Sequence, residues 1–214
     1  MSQDTRERIL EAATRLFADS DSGGASLRAI ARAADVNPAL LHYHFGGREA
    51  LFEAAVRRAL EPVQARRAAM MEGLRAAPSP ASARDLARLF VIPLLAVEGD
   101  DPEGHAACIR LLARVFAEQR TLAQDLTLKH FGAVMYAFGD LLGEALPSLP
   151  APTRFRRMRL CAQSALDALA GAAVAGTDLL DAGADDPRIT ELIDFLSGGL
   201  QAQDTTSRRA SPPR

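Results

Sequence analysis

The sequence predicts an all-α protein. Its 214 residues are 48% hydrophobic but only 5% aromatic, tryptophan is absent, and alanine is abundant. This composition favours packed helices and disfavours an all-β fold. Apolar residues also recur at three- and four-residue steps, which is the spacing of one helix face, and helix-capping residues separate these stretches. The length allows one large domain or two small ones.

The first predicted helix runs from about residue 5 to residue 19. Its apolar stripe is Ile9, Leu10, Ala13, Leu16 and Phe17. The segment DSDSGGA that follows, residues 19–25, predicts a loop, because Gly23 and Gly24 give its backbone freedom.

Two short helices come next, joined by a tight turn. Ser26 predicts an N-cap for a helix to about residue 34. Asn37 is the next N-cap, with Pro38 in the first helical position, where its missing N–H is harmless. Gly46 and Gly47 stop this third helix after Phe45. A short helix, a turn and a second short helix are the outline of a helix-turn-helix DNA reader.

The remainder of the chain predicts longer helices. A fourth helix should run from Arg48 to about Arg75, and the segment APSPAS after it is a linker-like break. Further helices are expected at about 82–97, 103–119, 121–145, 152–176 and 187–202. The polar, proline-containing end, residues 204–214, predicts a disordered tail. We therefore expect domains at 1–50 and 51–203, followed by this tail.

The third helix ends in an aromatic and titratable cluster, His42-Tyr43-His44-Phe45, for which a metal site or a catalytic pair has to be considered. The two histidines are two positions apart, which places them about 160° apart around a helix, so they do not converge on one ion. No serine or cysteine nucleophile lies nearby. No catalytic residue, metal site or cofactor is therefore predicted, and the protein is not expected to be an enzyme.

A DNA-contacting surface explains this helix better. Pro38 and Ala39 are small enough to let its start enter a major groove, and His, Tyr and Asn side chains can donate to phosphate oxygens. Residues 26–60 carry five arginines against three acidic residues, a mild basic bias on a chain whose formal net charge is −2. The alternative is a surface helix with incidental aromatic residues.

The second half carries amphipathic stripes that suit either a core or a ligand cavity, which are lined by the same residue types. Arg110, Arg114, His130 and Tyr136 are polar groups within these apolar helices, and one of them could anchor a polar or anionic group; solvated surface positions are the alternative. The predicted effector pocket consists of Phe90, Leu94, Arg110, Leu111, Arg114, Phe131, Val134 and Phe138.

Small residues near the end of the chain predict a subunit interface. The stretch AQSALDALAGAAVAG, residues 162–176, allows close helix approach. With the last helix it predicts a two-fold, four-helix dimer contact, for which intrachain packing is the alternative. The predicted interface residues are Ala165, Ala168, Ala172, Leu192, Phe195 and Leu196. The two cysteines, Cys108 and Cys161, are expected to be buried thiols, with a redox pair as the alternative.

The N-terminal quarter of the chain resembles the TetR family of bacterial transcriptional regulators. The resemblance rests on ILEAATRLF, SLRAIARAADV, HYHF and GREALF, in matching order and spacing between residues 8 and 56. It implies a homodimer with an N-terminal three-helix helix-turn-helix DNA-binding domain and a C-terminal helical bundle for ligand binding and dimerisation. Such proteins are usually repressors that release operator DNA when a small molecule binds.

The resemblance also implies roles for individual residues. Ser26 and Arg28 match positions that touch the DNA backbone or base edges, and Arg48 matches a basic residue that meets a phosphate. The full DNA-binding prediction is Ser26, Arg28, Asn37, Pro38, Ala39, Leu40, His42, Tyr43, His44 and Arg48. Leu40 stands where threonine is frequent and His42 where tyrosine is frequent, which leaves the operator sequence open. Asp35 replaces the usual turn glycine, and aspartate tolerates a left-handed backbone.

The expected partners are double-stranded operator DNA, a second copy of the chain and an unknown small-molecule effector. No signal peptide or apolar run long enough for a membrane span is visible, so a cytoplasmic protein is expected, without a membrane partner. A DNA-binding activator or an effector-independent regulator remains an alternative. So does a helical protein-interaction module that does not bind DNA.

Overall fold

A computed structural model describes residues 2–19, 25–96, 101–175, 179–180 and 182–203. Within these ranges the chain forms α-helices and one 3₁₀ turn, and no strand. None of the helices in the described ranges is both long and apolar enough to cross a membrane. The all-α prediction is therefore confirmed, while the predicted disordered tail and the glycines of the first loop lie outside the described residues.

The N-terminal helices follow the predicted order. They are α1 (Ser2–Asp19), α2 (Leu27–Ala33), α3 (Pro38–Phe45) and α4 (Arg48–Ala76). The first helix starts three residues before its predicted beginning. Pro62 lies inside α4 and supplies no N–H to the preceding turn.

The remaining helices form the second half. They are α5 (Ala83–Val91), a 3₁₀ turn (Ile92–Leu94), α6 (Pro102–Glu118), α7 (Arg120–Ala145), α8 (Ala151–Ala175) and α9 (Pro187–Gln201). The prediction of one helix over 82–97 is wrong at its end, since α5 stops at Val91. Pro93 cannot donate to the carbonyl four residues back, so the chain tightens into the 3₁₀ turn.

One hydrophobic cluster connects the two halves of the fold. It runs from Ile9 of α1 to Leu200 of α9, both with no exposed surface. α1 packs mainly on α6 and α4, while α5 packs on α9 and α6 on α8. The N-terminal helices thus rest directly on helices of the second half, and a domain boundary at residue 50 stays a prediction.

α7 is interrupted near its middle. Phe131 has φ −134° and ψ 22°, which is not a helical conformation, so α7 consists of two helical segments joined at a kink. The sequence predicts this helix as continuous. The kink lies beside residues that line a cavity described below.

Candidate DNA-binding surface and ligand cavity

The starts of α2 and α3 are each fixed by a side-chain cap. The Ser26 hydroxyl accepts from the Ala29 N–H at 3.1 Å, and the Asn37 side-chain oxygen accepts from the Ala39 N–H at 2.9 Å. Both predicted N-caps are thereby confirmed. Asp35 adopts the left-handed region, with φ 51°, which holds the turn where glycine is more usual.

α3 is anchored by one side and exposed on the other. Leu41 is buried in the core, and Phe45 is half-buried with the Arg6 guanidinium 5.2 Å from its ring centroid. Gly46, with φ 77°, ends the helix, and its N–H donates to the His42 carbonyl oxygen at 2.9 Å. These contacts fix the rotation of α3 about its own axis and so decide which face reaches the solvent.

The exposed face of α3 is the face predicted to contact DNA. Tyr43 leaves 81% of its surface exposed, and its ring meets that of His44 edge-on, with centroids 5.1 Å apart. His44 is half-buried, so it contributes less surface than its neighbours. The other predicted positions of this helix are exposed: Pro38, Ala39, Leu40 and His42.

Three further predicted positions surround this face, namely Ser26, Arg28 and Asn37, and all are exposed. Ser26 and Asn37 already use their side-chain oxygens as caps, which leaves the Ser26 hydroxyl hydrogen and the Asn37 amide N–H groups as donors. Ser26 and Asn37 thus cap their helices, as the sequence predicts, and can still donate hydrogen bonds to DNA.

Arg48 has a structural contact besides any contact with DNA. Its Nε donates to the Ala25 carbonyl oxygen at 3.2 Å, and its Cζ lies 5.5 Å from the ring centroid of Phe17. The side chain therefore ties the start of α4 to α1 and to the residue before the N-cap of α2. Gly47, the N-cap of α4, provides no side-chain cap, so the first N–H groups of this 29-residue helix are available to an anion.

A cavity of about 470 Å³ lies in the second half of the fold. It is bounded by α4, α5, α6, α7 and α8, and its wall is mainly apolar with several polar groups. The lining residues are Arg67, Phe90, Phe116, Arg120, Gln124, Thr127, Leu128, Met135, Tyr136, Phe138, Gly139, Asp140, Phe155, Met158, Arg159, Leu160, Ala162 and Gln163. Its size and wall suit a small organic ligand.

Two of the eight predicted pocket residues line this cavity, Phe90 and Phe138, whose ring centroids are 4.9 Å apart. Leu94 and Leu111 are instead buried in the general core. Phe131 and Val134 are half-buried near the kink of α7 and are not part of the cavity wall. An amphipathic stripe predicts that a side chain is buried, but it does not predict whether the side chain packs in the core or lines the cavity.

The predicted pocket arginines are corrected by the structure. Arg110 donates to the Asp19 carboxylate at 3.2 Å, and Arg114 donates to the Phe17 carbonyl oxygen at 3.4 Å. Both therefore face the end of α1 rather than the cavity. Arg114 also bonds Glu118 one turn further along α6. The cause is the packing of α6 between α1 and the cavity, which sequence periodicity does not reveal.

The buried arginine of the cavity is Arg67, on α4, which the sequence prediction missed. Its side chain is 8% exposed in a stretch that otherwise has charged residues on the surface. Arg67 lies at i+3 and i+4 from buried Gln64 and Val63, so a helical wheel of α4 already places it on the inner face. That spacing is the signal that could have identified it.

The kink of α7 is linked to α4 through a shared carboxylate. One oxygen of Glu53, Oε1, accepts from Lys129 Nζ at 2.5 Å and from His130 Nε2 at 2.9 Å. The hydrogen bonds from Lys129 and His130 lower the pKa of Glu53 below its ordinary value. Because Glu53 lies five residues from Arg48, this contact connects the cavity helix to the end of α4 nearest α3.

A second cleft, of about 600 Å³, lies between α1, α4 and α6. Charged residues of its wall pair with one another: Arg15 with Asp101 at 3.0 Å, and Arg58 with Glu11 at 3.6 Å. The Arg15–Asp101 pair connects α1 to the start of α6, and the Arg58–Glu11 pair connects α4 to α1. The cleft is thus a charged seam between the two halves of the fold.

The predicted interface residues have different surroundings. Ala165 and Leu196 are buried inside the single chain and so have no surface to offer a partner, which corrects their assignment. Ala165 and Leu196 pack within the chain, which is the alternative to an interface between subunits. Ala168 and Leu192 are half-buried, and Phe195 is 70% exposed. The side chain of Ala172 lies outside the described residues.

Neither the cluster on α3 nor either cysteine forms a metal site. In the described portions of the chain, no group of three or more His, Cys, Asp or Glu side chains is arranged to hold a metal ion. Cys108 is only half-buried, which corrects the prediction of a buried thiol at that position. Cys161 is buried, and burial raises the pKa of its thiol to about 11. The thiol is therefore neutral at ordinary pH.

Two family models match the chain. One, described as "Bacterial regulatory proteins, tetR family", matches residues 9–55, and the other, described as "Tetracyclin repressor-like, C-terminal domain", matches residues 88–199. The second alone covers about half of the chain. Together they include α3, the start of α4 and most of the cavity wall.

Curated relatives are similar over part of the chain. The HTH-type transcriptional regulator UidR of Escherichia coli K12 is 36% identical over 73 residues, which is 34% of this chain and 37% of that protein. The probable HTH-type transcriptional regulator YttP of Bacillus subtilis is 41% identical over 56 residues, covering 26% and 27% of the two chains. The matched stretches thus span 37% of the first relative and 27% of the second.

Solved structures resemble the whole chain. A structure described as "putative TetR-family transcriptional regulator from Rhodococcus sp." has a TM-score of 0.54 at 22% identity, over 93% of this chain and all of that one. Salmonella enterica GusR has a TM-score of 0.53 at 20% identity, over 92% of this chain and 96% of its own. At these identities the likeness concerns the fold.

Proposed function

The chain belongs to the tetR family of bacterial regulatory proteins, and on that premise we propose that it is a sequence-specific, DNA-binding transcriptional regulator. It acts as a homodimeric repressor, which a small hydrophobic effector releases from operator DNA. The observation that carries this proposal is the exposed face of α3, where Tyr43 projects from a helix held by two caps and a buried Leu41.

DNA binding follows from the geometry of this face. α3 enters a major groove with its small N-terminal residues first, while His42 and Tyr43 reach phosphate oxygens or base edges. The open N-terminus of α4 receives a backbone phosphate, and Arg48 adds its positive charge beside it. Ser26, Arg28, Asn37 and His44 complete the surface. In a two-fold dimer the two α3 helices lie about one DNA turn apart, roughly 34–36 Å.

Release by an effector is supported by the cavity. Its apolar wall suits a small hydrophobic ligand, and the kinked helix that lines it is joined to α4 through Glu53. Ligand binding favours a conformation in which the spacing of the α3 helices no longer fits the operator. The coupling is reciprocal, so operator DNA weakens ligand binding by the same factor.

The proposed dimer uses α8 and α9, with Phe195, Leu192 and Ala168 as its contacts from the predicted set. Acting on DNA, the protein works in the cytoplasm and is associated with the nucleoid when bound. An activator or an effector-independent regulator shares the α3 surface but shows no ligand-dependent release. A protein-interaction module without DNA binding uses neither α3 nor Arg48.

A gel-shift experiment with DNA from upstream of the protein's own gene tests the proposal. Wild-type protein should bind with an affinity that falls steeply as salt rises. The Tyr43→Ala variant should bind at least about tenfold more weakly, because both half-sites lose a contact of roughly 1 kcal/mol. The control is Leu122→Ala, which shortens an exposed apolar side chain that lies outside α3 and outside the cavity wall, and it should bind as wild type does.

The outcomes separate the candidate functions. Equal binding by wild type, Tyr43→Ala and Arg48→Ala contradicts the proposed surface. Specific binding that no hydrophobic ligand reverses favours the effector-independent regulator. Absence of specific binding to any upstream fragment favours the protein-interaction module.

A further inference from the structure

The cavity contains a buried cation at its inner end. Arg67 lies within the wall formed by α4, and its Cζ is 5.8 Å from the ring centroid of Phe138, which also lines the cavity. Only 8% of Arg67 is exposed. Burial of a guanidinium among aromatic side chains is costly unless an anion or strong acceptors compensate it.

The protein compensates this charge only partly. Arg67 Nε donates to the Leu89 carbonyl oxygen at 3.0 Å, and Nη1 donates to Gln64 Oε1 at 2.8 Å. The Leu89 carbonyl is free for this bond because Pro93, four residues on, has no N–H to offer it. Arg67 therefore caps the C-terminal end of α5, where the helix dipole is negative.

The second terminal nitrogen of Arg67, Nη2, has no hydrogen bond to any described residue, and no described carboxylate pairs with this guanidinium. Burial lowers the pKa of Arg67 to about 10, so the group still carries its charge at neutral pH. The buried positive charge of Arg67 is thus stabilised by an amide oxygen, a carbonyl oxygen and an aromatic ring, none of which carries a full negative charge.

The other charges on the cavity wall point to the same ligand class. Arg120, Arg159 and Asp140 are all exposed, at positions closer to solvent than Arg67. The cavity wall thus carries three cationic side chains and one carboxylate. A cationic ligand would meet like charge at the inner end of the cavity, whereas an anion would meet a preformed donor.

We propose that the cavity binds an amphipathic monoanion, a carboxylate with an aryl or alkyl body, whose carboxylate accepts from Arg67 Nη2. The body lies among Phe90, Phe116, Phe138 and Met158. The proposal rests on the proposed function, in which this cavity receives the effector, and it narrows the class from hydrophobic molecules to hydrophobic acids.

The test compares three probes that share one body: 5-phenylpentanoate, 5-phenylpentanamide and 5-phenylpentylamine. Their binding to the full-length protein is measured at pH 7.5 by isothermal titration calorimetry. The carboxylate should bind at least about tenfold more tightly than the neutral amide, since a charge-assisted hydrogen bond to a buried cation is lost in the amide. The amine should bind most weakly.

Two variants locate the preference. Arg67→Met keeps the side chain long but removes its charge, and it should abolish the preference for the acid while retaining amide binding. Arg75→Met is the matched control, because Arg75 lies on the same helix and also donates to a backbone carbonyl, that of Ala137 at 3.0 Å, without lining the cavity. This control should keep the wild-type preference.

Several results would overturn the inference. They are equal affinity for acid and amide, tighter binding of the amine, an unchanged preference in a folded Arg67→Met protein, or no binding of any probe at millimolar concentration. If circular dichroism shows that Arg67→Met is unfolded, the wild-type ranking of the three probes decides.

The calorimetric result stands apart from the proposed function. The titrations contain no DNA, so a preference for the acid persists even if the gel shift shows no DNA binding, and in that case only the regulator proposal fails. Conversely, specific DNA binding together with no preference for the acid leaves the regulator standing and overturns the ligand class.

Discussion

His130 Nε2 lies 2.9 Å from Glu53 Oε1, which joins the residue just before the kink of α7 to the N-terminal part of α4. Lys129 donates to the same oxygen. The kinked helix that lines the cavity and the helix that begins beside α3 are thus held at one point by a carboxylate with two donors.

This contact predicts a pH-dependent contribution to stability. The pKa of Glu53 is lowered in the folded protein from its ordinary value of 4.5. The stabilisation is therefore present above the unfolded pKa and is lost as the pH falls through the folded pKa. Glu53→Gln should lower the midpoint of thermal unfolding at pH 6, and the difference from wild type should shrink below about pH 4.

The control for this series is Glu72→Gln, on an exposed position of the same helix. It should change the midpoint little at either pH. A difference between wild type and Glu53→Gln that is as large at pH 3.5 as at pH 6 would contradict the assigned role of the carboxylate.

The Asn37 cap predicts a loss of stability coupled to a loss of DNA affinity. Asn37→Ala removes the acceptor for the Ala39 N–H and should cost about 1 kcal/mol of unfolding free energy. Because α3 has only eight residues, its start should fray and DNA affinity should fall as well. Urea unfolding and the gel shift measure the two effects.

Ser82→Ala provides a matched cap removal far along the chain, since Ser82 accepts from the Asp85 N–H at 3.1 Å at the start of α5. It should lower stability by a similar amount and leave DNA affinity unchanged. Equal loss of DNA affinity in both variants would mean that the Asn37 effect is one of global stability.

The left-handed conformation of Asp35 predicts the sign of substitutions in the turn. With φ at 51°, Asp35→Gly should raise the unfolding free energy by up to about 1 kcal/mol, because glycine adopts this region without strain. Asp35→Val should lower it by more than about 1 kcal/mol. Urea denaturation curves give both values.

Gly46 offers the complementary test. A Cβ at this position meets nothing within 4 Å, so only its φ of 77° opposes a side chain. Gly46→Ala should therefore destabilise by about 1 kcal/mol. A destabilising Asp35→Gly, or a neutral Gly46→Ala, would be inconsistent with the backbone described for this turn.

The exposure of Phe195 predicts the oligomeric state of a variant. A phenylalanine that is 70% exposed on α9 suits a partner surface, and an arginine there would bury charge in the contact. Phe195→Arg should shift the protein from dimer to monomer in light scattering coupled to size exclusion, with its helical circular dichroism retained. Tyr43→Ala should remain dimeric; a dimeric Phe195→Arg protein would place the interface elsewhere.

The N-terminal architecture was predictable because its determinants are local. Ser26, Asn37 and Gly46 act within four residues of their own positions, so their roles are readable along the chain. The rotation of α3 follows from Leu41 and the helical repeat. These are properties of neighbouring residues, and no knowledge of distant packing is needed to derive them.

The cavity was harder to predict because its determinants are distant in sequence. Arg67 reaches Leu89 across 22 residues, and Arg114 reaches Phe17 across 97. A helical stripe predicts that a side chain faces inward but not which helix it contacts. The sequence therefore predicts Arg110 and Arg114 in the cavity, although both contact the end of α1. The kink at Phe131 lies beside Gly132, which weakens a helix locally, but a single glycine does not by itself predict a kink.

The length of α4 sets how finely the protein must control angles. With 29 residues, α4 extends over about 43 Å at about 1.5 Å per residue. Pivoting such a rod by about 5° displaces its far end by about 4 Å, more than the roughly 3.4 Å between successive base pairs. In the proposed dimer, a tilt of this size would move α3 out of step with its half-site, so a few degrees would separate a fitting spacing of the two α3 helices from a misfitting one.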